Sequence, residues 1–398
     1  MRDIPLSTPN LNMEIVDNLR ECIETGWVST GGRFITEFEK KTAAYLNINE
    51  TVACQSGTAG LHTALRILGV ESGDEVIVPT LTFIAAVNPV KYLGAEPVFM
   101  DCDDTLCLDV KKLRRFCQEE CSFESGKLIN KNTGNNVKAV VPVHIFGNMC
   151  DMEEIMDIAD EFNLKVLEDA TEALGTYYTD GRYKGKYAGT MGHMGVLSFN
   201  ANKIITTGGG GMILSNDQAY IDEARYLTTT AKNDGLYFAH DEVGYNYRML
   251  NLQAALGVSQ IDELESFIET KIKNYDLYKT FFSGVAGIEI IPFNNDIRAN
   301  HWFYSLLIDN EFFEEKKGIK NMRDHIMTRL IEQGIQVRPV WKLAHTQLAY
   351  ENDLSYGIKR ASYYEGHVLN VPCSSDMTTE EVKIVSNAII DILKSQIF

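Results

Sequence analysis

Short apolar runs alternate with amphipathic stretches between residues 49 and 215. Six runs have the length of strands, and the third is rich in β-branched residues; they are residues 74–79, 96–101, 137–146, 165–169, 195–199 and 211–215. Between the third and fourth runs, residues 151–162 repeat apolar side chains at helical spacing. This alternation predicts an α/β domain with a mostly parallel sheet, in which ligands bind at the carboxyl ends of the strands.

The pattern changes near residue 251. A long helix is predicted over residues 253–272, followed by strands at 288–291, 301–308 and 337–340 and by helices at 322–332 and 380–395. We therefore expect a large domain over residues 1–250 and a smaller α+β domain over residues 251–398, with the N-terminal stretch a candidate to pack on the small domain. Residues 119–136 are polar and rich in turn formers, which predicts an exposed insertion.

Composition narrows the class of protein. The 398 residues carry 37 Lys and Arg against 55 Asp and Glu, a net charge of −18, which argues against nucleic acid or an anionic membrane as partner. No apolar stretch is long enough to span a bilayer, and the first residues lack the apolar core of a secretory signal. The eight cysteines form no CxxC pair, so we expect reduced thiols, no metal site and a cytoplasmic protein.

Three segments carry candidate chemistry at the expected ligand edge. Residues 55–60 form a small, hydroxyl-bearing turn before a helix, whose free N–H groups favour a phosphate, although this motif alone is more often an ordinary capped helix. Asp169 ends a predicted strand and can reach a ligand or cap the next helix. Lys203 lies between a strand ending at Ser198 and the glycine run 208–211, and its alternative is a solvated surface lysine.

An amine, a carboxylate and a phosphate cradle are what pyridoxal 5′-phosphate (PLP) requires. The segments SGTAGLHTAL, EDATEALG and SFNANKIITTGGGGM resemble, in order and separation, the DegT/StrS-type nucleotide-sugar aminotransferases, and the resemblance covers nearly the whole chain. It implies PLP fold type I, with a large domain whose mostly parallel seven-stranded sheet lies between helices and a smaller α+β C-terminal domain.

The resemblance also implies roles for residues. Lys203 matches the family's Schiff-base lysine and Asp169 the partner of the pyridine nitrogen. The remaining cofactor contacts implied are the phosphate-binding Gly57, Thr58, Ala59 and Ser198, the stacking Phe83, and Glu172 beside the ring hydroxyl.

Other matched positions concern the partner chain and the substrate. Asn246, in the segment GYNYR, matches an asparagine that reaches the cofactor phosphate of the neighbouring subunit, which implies a homodimer with shared active sites. Trp27, Arg248 and His345 match positions near the nucleotide sugar, although a structural histidine at position 345 is an equal alternative.

The chain departs from many family members at Glu172, where they have Gln, and at Gly209, where they have Glu. Both departures, together with residues 80–84 and the insertion at 119–136, resemble the subgroup of legionaminic acid and related diamino-sugar pathways. That subgroup aminates C4 of a nucleotide-linked 4-keto-6-deoxy-N-acetylhexosamine, with L-glutamate as donor and 2-oxoglutarate as product. Amination at C3 and a non-catalytic regulator of the same fold are the alternatives. A sugar dehydratase of this fold has histidine at the lysine position, so Lys203 argues against it.

Overall fold

The computed structural model describes residues 3–395. Its helices are α1 (Glu14–Thr25), α2 (Arg33–Leu46), α3 (Gly57–Ile67), α4 (Asn88–Tyr92), α5 (Val110–Arg115), α6 (Met152–Phe162), α7 (Gln218–Thr228), α8 (Asn251–Phe282), α9 (Asn310–Lys317), α10 (Met322–Glu332), α11 (Arg360–His367) and α12 (Thr379–Lys394).

The strands before residue 250 are β1 (Thr51–Cys54), β2 (Glu75–Pro79), β3 (Glu96–Met100), β4 (Cys121–Glu124), β5 (Lys127–Asn130), β6 (Asn136–Val140), β7 (Lys165–Asp169), β8 (Tyr177–Tyr178), β9 (Met194–Ser198), β10 (Gly211–Leu214), β11 (Lys232–Asp234) and β12 (Ala239–His240). Those after it are β13 (Ile288–Ile290), β14 (Ile297–Arg298), β15 (Tyr304–Ile308), β16 (Arg338–Pro339), β17 (Ser355–Tyr356) and β18 (Val368–Val371).

A large sheet organises the first half of the chain and has the strand order β1-β10-β9-β7-β6-β2-β3. These seven strands confirm the predicted mostly parallel sheet, with β10 antiparallel to both of its neighbours. The sheet is extended to ten strands by β17, which pairs with β3, and by the hairpin of β4 and β5, which pairs with β6. The carboxyl ends of β7 and β9 therefore lie at the same edge as the start of β10.

The structure shortens one prediction in this half and adds detail to another. The strand predicted over residues 137–146 ends at Val140, because Pro142 offers no N–H and Phe146 has a φ of 55°, so the chain leaves the sheet. The predicted insertion at 119–136 holds the hairpin of β4 and β5. It is anchored by the buried Asn130, whose Nδ2 donates to Glu75 Oε2 over 2.8 Å.

The second half is built on an antiparallel sheet with the order β13-β15-β18-β16 and on the long helix α8, which runs to Phe282 rather than to residue 272. The strand predicted from residue 301 begins only at Tyr304, because His301 has a φ of 53° and turns the chain out of the sheet.

The N-terminal stretch reaches this half, where the Ile4 N–H donates to the carbonyl of Gly334 over 2.9 Å. The domain division at residue 250 stays a prediction. No helix within residues 3–395 is long and apolar enough to cross a membrane.

Candidate active site

A cavity of about 330 Å³ lies at the carboxyl edge of the large sheet. One wall is formed by the start of α3, the ends of β7 and β9, and the loop that carries Lys203. The other wall comes from distant parts of the chain, namely Phe83, Trp302, Phe303 and Trp341. Asp169 and Glu172 from one predicted motif and Ser198 and Lys203 from another all line this one cavity.

The N-terminus of α3 forms the floor of the cavity. Ser56 caps the helix, since its Oγ accepts the N–H of Ala59 over 3.1 Å. The N–H groups of Gly57 and Thr58 find no acceptor within residues 3–395 and lie where the helix dipole favours an anion. The floor thus fits a phosphate, with Gly57 and Thr58 as donors, whereas the Ala59 N–H is already used by the cap.

The glycine run after Lys203 has a steric cause. A Cβ on Gly211, the first residue of β10, would lie 2.7 Å from the carbonyl carbon of Ser56. A Cβ on Gly209 would meet nothing closer than 3.5 Å. Close packing of β10 on the start of α3 therefore requires glycine at position 211 and leaves room for a side chain at position 209.

Asp169 is buried at the end of β7. Its Oδ1 accepts the N–H of Thr171 over 3.0 Å, and the carboxylate has no ion-pair partner within the described residues. Burial raises the pKa of Asp169, and the hydrogen bonds from Thr171 and the charge of Lys203 offset only part of that effect. A buried carboxylate without an ion-pair partner, at the wall of a cavity, fits the protonated nitrogen of a pyridine ring.

Lys203 projects into the cavity from the loop after β9. Its Nζ lies 3.4 Å from Glu172 Oε1 and 3.9 Å from the centre of a Trp302 indole ring. Glu172 is buried and its Oε2 accepts the N–H of Phe146 over 2.8 Å. Burial raises the pKa of Glu172, and the positive charge of Lys203 opposes the shift.

Ser198 and Phe83 complete the set of predicted residues at the cavity. Ser198 ends β9 beside the α3 floor, where a Cβ on Gly57 would lie 3.1 Å from the Ser198 Cβ. Phe83 is half exposed on the opposite wall, with its ring 6.1 Å from that of Trp341. Its position allows a ring face toward the cavity, as the stacking role requires.

Five predicted residues do not line the cavity of their own chain, and one of them is Ala59, whose N–H donates to the helix cap. Arg248 pairs with Glu39, with 2.5 Å between Nη1 and Oε1, and His345 Nδ1 lies 2.6 Å from Thr80 Oγ1. Trp27 is exposed and lines a separate cleft before α2. Asn246 lies in the segment that bridges to Thr229. Their roles toward sugar or partner stay predictions, and Arg248 and His345 have structural partners as well.

The aromatic wall was not predicted. Trp302, Phe303 and Trp341 carry no motif, and the run 301–304 has the composition of an ordinary buried strand. Trp302 and Phe303 stack with their centroids 4.1 Å apart. The sequence signal for this wall was the adjacent pair Trp302 and Phe303. In a strand, neighbouring side chains point to opposite faces, so two adjacent large aromatics are not expected to share one face.

A lysine amine, a buried acceptor and a helix N-terminus thus surround one cavity at the carboxyl edge of a mostly parallel sheet. The residues of this one chain fit PLP: an amine for its aldehyde, Asp169 for its ring nitrogen, and Gly57, Thr58 and Ser198 for its phosphate. These features define a PLP enzyme of fold type I.

Comparison with known proteins gives the family. The model of the DegT/DnrJ/EryC1/StrS aminotransferase family matches residues 9–390. GDP-perosamine synthase of Escherichia coli O157:H7 is 35% identical over 395 residues, 98% of each chain, and the spore coat polysaccharide biosynthesis protein SpsC of Bacillus subtilis strain 168 is 32% identical over 98% of this chain and 97% of SpsC. The aminotransferase TlmJ of Streptoalloteichus hindustanus has a TM-score of 0.86 at 25% identity, covering 98% of this chain and 99% of that one. The chain belongs to this family and is a PLP-dependent sugar aminotransferase.

Proposed function

We propose that the protein transfers an amino group from L-glutamate to C4 of a nucleotide-linked 4-keto-6-deoxy hexose carrying an N-acetylamino group, for a surface glycan of the legionaminic acid type. The observation that carries the transamination is the Lys203 amine beside Glu172 in a cavity that also holds Asp169. Position C4 is supported by the relative named for perosamine, a 4-amino sugar. The N-acetylamino group and the glycan class rest on the residues at positions 172 and 209, on residues 80–84 and on the insertion at 119–136.

The residues of the chain divide the work around bound PLP, which supplies an electrophilic aldehyde and an electron sink. Asp169 would keep the ring nitrogen protonated by accepting its N–H. Lys203 would hold the cofactor aldehyde through Nζ. When that amine is free, Nζ would take up and return the proton at the reacting carbon of the amino donor or of the keto sugar. Glu172, 3.4 Å away, stabilises the protonated Nζ.

We further propose a homodimer in which Asn246 completes the partner's phosphate site, because Asn246 lies outside the cavity of its own chain. Exposed apolar side chains at Leu236, Tyr237 and Phe238, in the neighbouring hairpin of β11 and β12, support burial against a second copy. The cytoplasm is the proposed compartment, and the eight free thiols suit its reducing conditions.

Absorbance spectroscopy tests the amino transfer. The purified protein with PLP should absorb near the violet edge of the visible range, and L-glutamate should bleach that band with release of 2-oxoglutarate. A Lys203→Ala variant should lose the band and all turnover. Retention of the band with every amino donor tested would favour the non-catalytic regulator.

The sugar is identified by a panel assay. UDP- and GDP-linked 4-keto-6-deoxy sugars, with and without an N-acetylamino group, are incubated with L-glutamate, alongside their 3-keto isomers. We expect conversion of a 4-keto substrate, with NMR of the product placing the new amine at C4. An amine at C3 would contradict the proposal while leaving the aminotransferase class intact.

A further inference from the structure

Trp302, in the second half of the chain, contacts the amine of Lys203. It lies after the point at which residue 301 turns the chain out of the small sheet, and its side chain is 2% exposed. The Lys203 Nζ lies 3.9 Å from the ring centre, a distance at which an ammonium is attracted to the face of an indole.

The polar groups of Trp302 are all held in place. Its backbone N–H donates to Asn300 Oδ1 over 2.9 Å, and its carbonyl accepts from Lys271 Nζ over 3.1 Å. The indole Nε1–H donates to the carbonyl of Asn202 over 2.7 Å, next to Lys203 itself. A ring fixed at three polar groups presents one face in one orientation.

Asn300 ties this ring to the carboxylate side of the cavity. Its Nδ2 donates to the carbonyls of Glu172 and Leu174, each over 2.9 Å. The packing is tight enough that a Cβ on Gly147 would lie 1.9 Å from Asn300 Oδ1. The Glu172 carboxylate and the Trp302 ring, the two groups that contact the lysine amine, are therefore set by one buried amide.

We propose that Trp302 is a positioning residue that holds the free amine of Lys203 inside the cavity, with Asn300 setting its ring against the Glu172 loop. The amine has a carboxylate at 3.4 Å and the indole face at 3.9 Å, and within residues 3–395 it has no further hydrogen-bond acceptor. A lysine released from its cofactor bond would otherwise swing toward solvent on its flexible stem.

The inference rests on the proposed role of Lys203, but it can be tested without turnover. Full-length protein freed of PLP is acetylated with limiting acetic anhydride, and mass spectrometry compares Lys203 with the exposed Lys40 as internal standard. We expect relative labelling of Lys203 to rise about tenfold in Trp302→Leu and to stay near the native value in Trp302→Phe, which keeps an aromatic face.

Trp341→Leu is the matched control. Trp341 lines the same cavity and packs on Phe146, with centroids 4.9 Å apart, yet makes no contact with the Lys203 nitrogen in the described structure. Labelling should stay unchanged in this variant. An equal rise in the Trp341 and Trp302 variants would mean that opening the wall, rather than losing the indole face, exposes the lysine, and would overturn the proposal.

Fluorinated tryptophan gives a second measurement that preserves shape. The chain has three tryptophans, so Trp27→Phe with Trp341→Phe leaves Trp302 as the single site of incorporation. Fluorination weakens the negative face of the ring, and labelling of Lys203 should rise about two- to threefold with successive fluorines. If Trp302→Leu fails to fold by circular dichroism, this series decides alone. A flat response would sink the positioning role, whatever the result of the sugar assays.

Discussion

At the scale of single residues, two buried carboxylates on one cavity wall differ in what surrounds them. Glu172 has a backbone N–H and the Lys203 amine as partners, whereas Asp169 accepts from Thr171 and has no ion-pair partner within residues 3–395. Unpaired buried charge costs stability, so the Asp169 site is poised for a positively charged ligand. The two residues should respond differently to the same carboxylate-to-amide change.

Asp169→Asn should lower kcat for amino transfer by at least about a hundredfold, because an amide cannot keep the ring nitrogen protonated. Glu172→Gln is the matched control and should retain most activity, since many family members have glutamine there. Steady-state kinetics and the cofactor absorbance of both variants give the comparison. Equal losses in the two variants would remove the special role of Asp169.

The same Asp169→Asn change, which lowers activity, should raise the stability of the PLP-free protein. Burial raises the pKa of Asp169 in the folded state above its ordinary value of 3.8. The protonated carboxyl therefore contributes stability that is fully present below pH 3.8 and is lost as the pH rises through the folded-state pKa. At pH 7 the Asp169→Asn apoprotein should therefore have the larger free energy of unfolding, with the gap closing toward pH 4. Urea denaturation at each pH measures the free energy of unfolding of the native and variant apoproteins. A less stable Asp169→Asn variant at pH 7 would show that the carboxylate stabilises the fold.

At the scale of elements, the site depends on how closely β10 approaches the start of α3. The strand backbone at Gly211 lies against Ser56 and Gly57, which leaves the first N–H groups of the helix facing the cavity. A glycine here serves contact between two elements rather than a turn.

Gly211→Ala should destabilise the protein by about 1–3 kcal/mol, the usual cost of overpacking, and should loosen the phosphate floor. Gly209→Ala, two residues away with open space, should change stability by less than about 1 kcal/mol. Thermal unfolding measures the stability of the two variants. Fluorescence titration with PLP measures their affinity for the cofactor, and hence the state of the phosphate floor. Weaker PLP binding is expected only for the residue 211 variant, and its absence would contradict the proposed cradle.

At the scale of the whole molecule, one chain supplies the amine, the ring partner and the phosphate floor, but not Asn246. If Asn246 serves the partner, two defective chains can complement each other. Co-expressed Lys203→Ala and Asn246→Ala chains would form heterodimers in which one of two sites has both native residues.

Random mixing of these chains should restore about a quarter of native activity, because half of the dimers are mixed and each has one intact site. Each variant alone should be inactive or strongly impaired. Activity in the mixture no higher than the average of the two variants would place Asn246 in its own chain's site or outside the chemistry. Size-exclusion chromatography with light scattering confirms that the dimers form.

Much of the fold and the core of the site followed from the sequence. Strand-like runs and helical periodicity report local burial, so they located β2, β3, β7, β9 and β10. The carboxyl edge of such a sheet is fixed by its topology, and this brought the motifs with Lys203, Asp169 and Gly57 to one place.

Only the tertiary structure decided which distant side chains close the cavity. Trp302 meets Lys203 because a backbone turn at His301 and the buried Asn300 direct it there, and no periodicity along the chain encodes that meeting. The sequence pattern also did not predict that Arg248 pairs with Glu39 or that His345 lies beside Thr80. Local pattern sets which residues are buried, whereas contacts between segments a hundred residues apart depend on how the whole chain packs.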